Sequence, residues 1–375
     1  MEDLKARLIY SNSSTTVNDV RYISGFVALD PVLLFLLPKK QILIVSTMEQ
    51  GRADRECYSS VEVLTPEALF LPHEKRWDII EQIQAVATRA GIKTIEVGFD
   101  FPVGIYAKLV EKGCEVKTDQ NPNCPMRRTK NIQELEWLRI SQRAAVSGMK
   151  QALSMIASAD IGSRGKLRDS HGVLTSERVR EAVQIELLKR NCSGRDIIVA
   201  GGDQATDPHE RGSGALFAGE AIILDIFPRD ETTGYWGDLT RTVCRGKAPK
   251  ALKKIYNTVL KTQKQALKKV RSKVCGDEIH QYIVSAFQEA GFVTGESHGK
   301  NVGFIHGTGH GVGLDIHERP RIGRSGEILC EGDVVTIEPG LYYPGVGGVR
   351  IEDTVVVEEY GCQLLATCTK KFELL

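Results

Sequence analysis

The chain has no C-x-x-C pair, no long apolar run and no excess of charge of either sign. Nine cysteines scattered over 375 residues form neither a disulfide scaffold nor a zinc ribbon, so reduced thiols in a cytoplasmic setting are expected. The longest apolar run, Val32 to Leu37, lies between Pro31 and Pro38. It falls far short of the roughly 20 residues that span a bilayer. The amino end, Met1-Glu-Asp-Leu-Lys5, lacks the apolar core of a signal peptide. With 49 Lys and Arg against 48 Asp and Glu, the net charge is +1 and no nucleic-acid or membrane partner is expected. One basic run, Lys253, Lys254, Lys261, Lys264, Lys268 and Lys269, shares a helical pattern with Leu252, Ile255 and Val259 and reads as a solvated helix face. Low-complexity segments and short-period repeats are also missing.

What is present is an ordinary globular balance, 42% apolar and 26% charged, in a chain long enough for two domains. Residues 1–127 read as a small α/β domain. Gln41-Ile-Leu-Ile-Val45 and Lys93-Thr-Ile-Glu-Val97 are strands, and a helix over His73–Ala90 stops at Gly91. A second helix ends near Gly113, before a strand at Cys114–Val116. The turn-rich stretch Gln120-Asn-Pro-Asn-Cys-Pro125 marks the boundary. Residues 128–375 read as α+β, with helices outside a curved antiparallel sheet. Helices are expected over Ile132–Leu153, after a cap at Thr175 or Ser176, and from Asp277 to Gly291; residues 159–174 read as a loop.

The chemistry concentrates in four motifs of this second part. Ala221-Ile-Ile-Leu-Asp-Ile-Phe227 and Asp238-Leu-Thr-Arg-Thr-Val243 are two strands joined by the turn composition Asp230-Glu-Thr-Thr-Gly234. A symmetric hairpin sets Asp225 opposite Asp238, and two carboxylates on one face repel unless a cation lies between them. Next, His306-Gly-Thr-Gly-His-Gly-Val-Gly-Leu-Asp-Ile-His317 holds three of the eight histidines. Its alternate glycines exclude a two-histidine zinc helix. In extended chain His306, Thr308 and His310 point one way, and the glycines admit substrate or metal to the backbone. Val334-Val-Thr-Ile-Glu338-Pro-Gly340 is a buried strand whose last acid is held extended by the following proline. In Gly348-Val-Arg-Ile-Glu-Asp-Thr-Val355, alternation puts Arg350, Glu352 and Thr354 on one face. Four carboxylates and one imidazole in a β-rich core suit a pair of divalent cations.

The order of these motifs resembles the pita-bread metallopeptidase superfamily of methionine aminopeptidase, aminopeptidase P and prolidase. Asp19-Val-Arg-Tyr-Ile-Ser-Gly-Phe26 resembles the start of the creatinase-type N-terminal domain, which favours the Xaa-Pro branch. The resemblance implies Asp225, Asp238, His310, Glu338 and Glu352 as ligands of two divalent ions (Mn, with Co, Zn or Fe as options), Asp238 and Glu352 bridging. It implies His306, His317, His209 and Glu338 as catalytic groups, and His209, His317 and Arg350 as substrate contacts. The implied reaction is attack by a hydroxide shared between the ions on an Xaa-Pro bond of a dipeptide or peptide, in a homodimeric enzyme. Three departures stand out: Phe227 replaces a glycine and narrows the site, the hairpin is about two residues longer than usual, and the 159–174 loop is long. Another metal-dependent hydrolase on this fold and a non-catalytic binding module are the alternatives.

Overall fold

The computed structural model describes residues 4–121, 124–297 and 299–375. Met1, Glu2 and Asp3 at the amino end, and Pro122 and Asn123 of the turn-rich stretch, lie outside the described residues. The chain divides into two compact units, the first ending at Arg127 and the second beginning at Arg128.

The first unit is a six-stranded mixed sheet with helices. Its strands are β1 (Lys5–Tyr10), β2 (Leu33–Leu36), β3 (Gln41–Ile44), β4 (Val61–Leu64), β5 (Thr94–Gly98) and β6 (Glu115–Asp119), in the order β4-β3-β2-β1-β5-β6. The helices are α1 (Ser14–Ser24), α2 (Thr47–Glu56), α3 (Ile79–Ala90) and α4 (Val103–Glu111). Helix α3 starts at Ile79 rather than His73. Asp78 caps it by accepting the Ile80 and Glu81 amides, which leaves His73–Lys75 as a separate 3-10 turn. Gly91, at φ +70°, ends it. The Asp19–Phe26 segment closes α1, with Gly25 in the left-handed region, Phe26 buried and Asp19 paired to Arg127 at 2.7 Å.

The second unit is α+β. Helices α5 (Ile132–Ser158), α6 (Ser176–Leu188), α7 (Lys250–Leu267) and α8 (Gly276–Glu289) surround two main sheets. Helix α5 runs five residues beyond Leu153, from an Asn131–Glu134 capping box. Residues 159–174 are not a plain loop: Asp160–Ile161, Leu167–Asp169 and Gly172–Val173 form a small antiparallel sheet before Thr175 caps α6. The lysine run does lie on exposed positions of and just after α7, while Leu252, Ile255 and Val259 are buried.

One main sheet contains β7 (Ile198–Gly201), β8 (Ile222–Ile226), β9 (Leu239–Arg245) and, last in the chain, the short strand Glu373–Leu374. The other holds β10 (Gly309–Gly311), β11 (Glu318–Ile322), β12 (Val334–Ile337), β15 (Asp353–Val357) and β16 (Cys362–Leu364). Between β12 and β15 the chain makes a hairpin of β13 (Gly340–Tyr343) and β14 (Gly347–Arg350).

Strand β8 explains why a carboxylate ends up inside. Ile222, Leu224 and Ile226 pack into the core under α5 and α6, whereas Ile223 packs with α7 and α8. Both faces are apolar, and Asp225 is the one charged residue of the strand. Its partner is Thr240, not Asp238: the β8–β9 register pairs Asp225 with Thr240 and Ile226 with Leu239. The tip residues Glu231–Gly234 centre the turn one residue later than a hairpin with Asp225 opposite Asp238 requires, so the two aspartates are offset along the same face.

The glycines of the histidine motif serve strand packing more than ligand access. A Cβ at Gly309 would stand 1.9 Å from the Thr336 carbonyl oxygen, and one at Gly311 2.3 Å from that of Arg319. Extended strand is confined to Gly309–Gly311, with a bulge between His310 and Gly311. Gly309→Ala is therefore expected to cost about 1–3 kcal/mol through overpacking. Gly307→Ala, whose nearest obstacle is 3.4 Å away, is expected to be nearly neutral. Denaturant unfolding of the two variants side by side checks this.

Candidate metal centre

The two main sheets meet at a seam where side chains take over from ladder hydrogen bonds. Glu352 lies in the break between β14 and β15, outside any strand. Its amide donates to the Thr240 carbonyl at 3.1 Å, and its Oε2 accepts from the Thr240 hydroxyl at 2.8 Å. Arg350 and Thr242 bond across the same seam, amide to hydroxyl and hydroxyl to carbonyl, at 3.0 and 2.9 Å. The Thr354 hydroxyl donates to the Asp238 carbonyl at 2.8 Å, and Gln142 of α5 binds the Asp238 amide at 2.8 Å. Residues 350, 352 and 354 thus turn their side chains to one side, although no continuous strand joins them.

Asp225, Asp238, His310, Glu338 and Glu352 come together at this seam. Asp238, His310 and Glu352 each offer a ligand atom, all within 4.8 Å of one another. His310 Nε2 stands 3.6 Å from Asp238 Oδ2 and 3.4 Å from Glu338 Oε1. Glu338 sits just past β12, where its amide donates to the Thr308 carbonyl at 2.8 Å. Asp225 Oδ2 accepts from Arg350 Nη2 at 2.8 Å. Its Oδ1 is buried with no hydrogen-bond partner among the described residues.

The electrostatics state the problem this arrangement poses. Burial, then Glu352 and Asp225, push the Asp238 carboxyl well above its usual range. Burial, then Glu338 and Asp225, do the same to Glu352. Glu338 is driven up to about 7 by burial, opposed by Arg350 and reinforced by Asp225. Burial lowers His310, so its imidazole is a neutral donor. Crowded carboxyls that resist ionising together, an unsatisfied buried carboxylate oxygen and a neutral imidazole form a donor set that fits hard divalent cations.

The other residues singled out in the sequence surround this cluster. The His317 ring lies against that of His310, centroids 4.3 Å apart and nearly perpendicular. Burial and the neighbouring His310 lower it to about 4. His209, exposed on its loop, is close enough to act electrostatically on His306, His317 and Glu338. His306 is committed at both ring nitrogens, Nδ1 to the Gly307 carbonyl at 2.7 Å and Nε2 to the Tyr342 hydroxyl at 2.8 Å. Burial lowers it to about 3, so it is uncharged. Thr308 does not join this group: its hydroxyl bonds His280 on α8 at 2.9 Å. Phe227, half-buried, follows β8 on the Asp225 side of the alternation. The Gly237–Pro228 bond beyond it places it across from Asp238.

Tyr342 escaped the sequence reading. Its hydroxyl accepts from Arg350 Nη1 at 3.0 Å and donates to His306, so a hydrogen-bonded chain runs His306–Tyr342–Arg350–Asp225. The only signal was a phenol four residues past Glu338 in an apolar strand. Tyr342→Phe leaves the buried Arg350 Nη1 with only the Pro208 carbonyl at 3.2 Å, and the part-buried His306 Nε2 without its hydroxyl partner. It is expected to cost about 1–3 kcal/mol in denaturant unfolding, with no loss of packing volume.

Two family descriptions match the chain. Metallopeptidase family M24 matches residues 136–359, and the Creatinase/Prolidase N-terminal domain matches residues 1–121. A Xaa-Pro dipeptidase of Pyrococcus horikoshii is 28% identical over 352 residues, 92% of this chain and 90% of that one. The solved prolidase structure from Pyrococcus horikoshii is similar with a TM-score of 0.80 at 26% identity, covering 98% of this chain and 95% of that one. The structure of an X-Pro aminopeptidase from Thermotoga maritima shares the fold, with a TM-score of 0.80 at 24% identity over 99% of this chain and 97% of that one.

Proposed function

The chain belongs to metallopeptidase family M24, in the Xaa-Pro branch of the pita-bread fold, and on that premise we propose that it hydrolyses Xaa-Pro bonds, in dipeptides or at the amino end of longer peptides. The convergence of Asp225, Asp238, His310, Glu338 and Glu352 carries this reading. The names of its relatives, Xaa-Pro dipeptidase and X-Pro aminopeptidase, supply the substrate class.

In this reading Asp225, Asp238, His310, Glu338 and Glu352 would together hold two divalent ions. Manganese is the metal we propose, with Co, Zn or Fe as options, since oxygen-rich donors with one imidazole accept all of them. A bound pair supplies Lewis acidity and lowers the pKa of a water from about 15.7 toward about 7. The protein's own groups do the rest. Arg350 holds Asp225 and Thr240 holds Glu352, so both carboxylates are oriented before any ligand arrives. His317, neutral at ordinary pH, donates an N–H to the substrate carbonyl oxygen as negative charge develops there. His209 on the rim contacts the peptide, whereas Arg350, expected from sequence to do so, is buried and committed to Thr240, Pro208, Tyr342 and Asp225 and supports the site from behind. His306, bonded to Tyr342, affects rate without holding metal. Glu338 passes a proton toward the leaving nitrogen. That step is required because the leaving nitrogen, of proline as of any residue, must gain a proton to depart as an amine. A cytoplasmic homodimer completes the proposal; nine free cysteines suit a reducing compartment.

A panel of Xaa-Pro dipeptides, Xaa-Pro-Xaa tripeptides and proline-free controls, with Mn, Co and Zn added separately, tests the function. Metal-dependent cleavage confined to the proline peptides is expected; equal cleavage of the controls, or none with any metal, overturns it. His310→Ala is expected to abolish metal-dependent hydrolysis. His306→Ala is expected to keep its metal and lose rate; metal loss equal to that of His310→Ala reverses the assignment of His306.

A further inference from the structure

On the face of β9 turned away from the carboxylates lies Arg241, the largest of the fully buried side chains at 2% exposed. It shares that face with Leu239 and Val243, which pack under α5 and α6. A guanidinium in such a place must satisfy five N–H groups without water. Arg241 does so. Nε donates to the Thr369 carbonyl at 2.8 Å. Nη1 donates to the Thr240 carbonyl at 2.9 Å and to the Glu352 carbonyl. Nη2 donates to Asp353 Oδ1 at 2.7 Å and to the Cys368 carbonyl at 3.1 Å. The other Asp353 oxygen accepts from Gln263 of α7 at 2.9 Å and from Lys370, and Lys370 also donates to Gln263 at 3.0 Å. Arg241, Asp353, Lys370 and Gln263 form a closed buried network.

This network reaches the site at one residue. Glu352 stands where the chain leaves the β13–β14 hairpin and enters the five-stranded sheet, so neither ladder fixes its backbone. Three contacts do: its amide on the Thr240 carbonyl, its carboxylate on the Thr240 hydroxyl, and its carbonyl on Arg241. Arg241 also holds the Thr240 carbonyl, and so sets the residue that supplies the other two.

We propose that Arg241 is a positioning residue for the metal site: it fixes the Glu352 carboxylate from behind and ties cation affinity to the segment Cys368–Lys370. This rests on the reading of Glu352 as a metal ligand. Arg241 touches neither substrate nor cation; it acts by making the Glu352 geometry the only one available.

The test is Mn²⁺ binding to the full-length, metal-stripped chain, measured by calorimetry well below the melting temperature. Arg241→Lys keeps the charge and gives up the fork of donors. It is expected to weaken Mn²⁺ binding by about 10–100-fold, the usual effect of losing a group that orients a ligand. Ile283→Ala, a cavity in the α8 core that removes no hydrogen bond of the Arg241 network, controls for general destabilisation and is expected to leave Mn²⁺ affinity unchanged. Wild-type affinity in Arg241→Lys, with only a lower melting temperature, overturns the proposal and makes Arg241 purely structural. An equal loss of affinity in Ile283→Ala overturns it as well. If Arg241→Lys does not fold, Lys370→Met interrupts the same network at a less buried point: weakened Mn²⁺ binding there supports the proposal, and unchanged binding overturns it. Failure of the wild-type chain to bind Mn²⁺ sinks the metal reading itself, an outcome distinct from these.

Discussion

Repulsion among carboxylates that the fold forces into one buried place is the constraint on which the second unit depends. Asp225, Asp238, Glu338 and Glu352 are held in reach of one another by strands packed between two apolar cores. In water such groups would separate at little cost. Here the strands cannot shift without exposing the cores on either side of the sheet. Hydrophobic burial therefore opposes electrostatic relaxation, and the outcome is a set of carboxyls poised for cations. Arg350 offsets part of the charge inside the site, and Arg241 with Lys370 adds positive charge behind it.

The location follows from the sheets. Within each sheet, backbone bonds satisfy the chain. Where the sheets meet, threonine hydroxyls, an amide side chain and a guanidinium must do so instead, and those groups also hold the ligands. One set of interactions thus serves stability and preorganisation together, so damage to either is felt by both. The helix pairs α5–α6 and α7–α8 supply the apolar weight that keeps the seam closed.

Much of this was legible in the sequence, because its signals are local. Apolar strands interrupted by one acid announced Asp225 and Glu338, and alternation put Arg350, Glu352 and Thr354 on one side even though the strand breaks between them. Gly91 as a helix stop was equally plain. What escaped depends on partners distant in the chain. The hairpin register is set by where the turn closes, so Asp225 faces Thr240 rather than Asp238. Residues 159–174 gain their strands by pairing with one another, and two- and three-residue strands leave no periodicity to read. Tyr342 and Arg241 look like ordinary residues of β-segments until the chain places His306 and Asp353 against them. The alternate glycines suggested ligand access because sequence shows that side chains are missing, not which backbone fills the space.

That filled space has a consequence for how the site changes over evolutionary time. At Gly309, Gly311 and Gly313 the neighbouring backbone and side chains occupy the volume that a larger residue would need, most severely at Gly309. A larger residue meets a backbone carbonyl at Gly309 and Gly311, and the Glu318 carboxylate at Gly313. The turn at Glu231–Gly234 that follows Phe227 has Glu231 and Thr232 exposed, and insertions of two residues there preserve which side chains look inward. A change of sequence is thus accommodated more easily in that turn than at the three glycines.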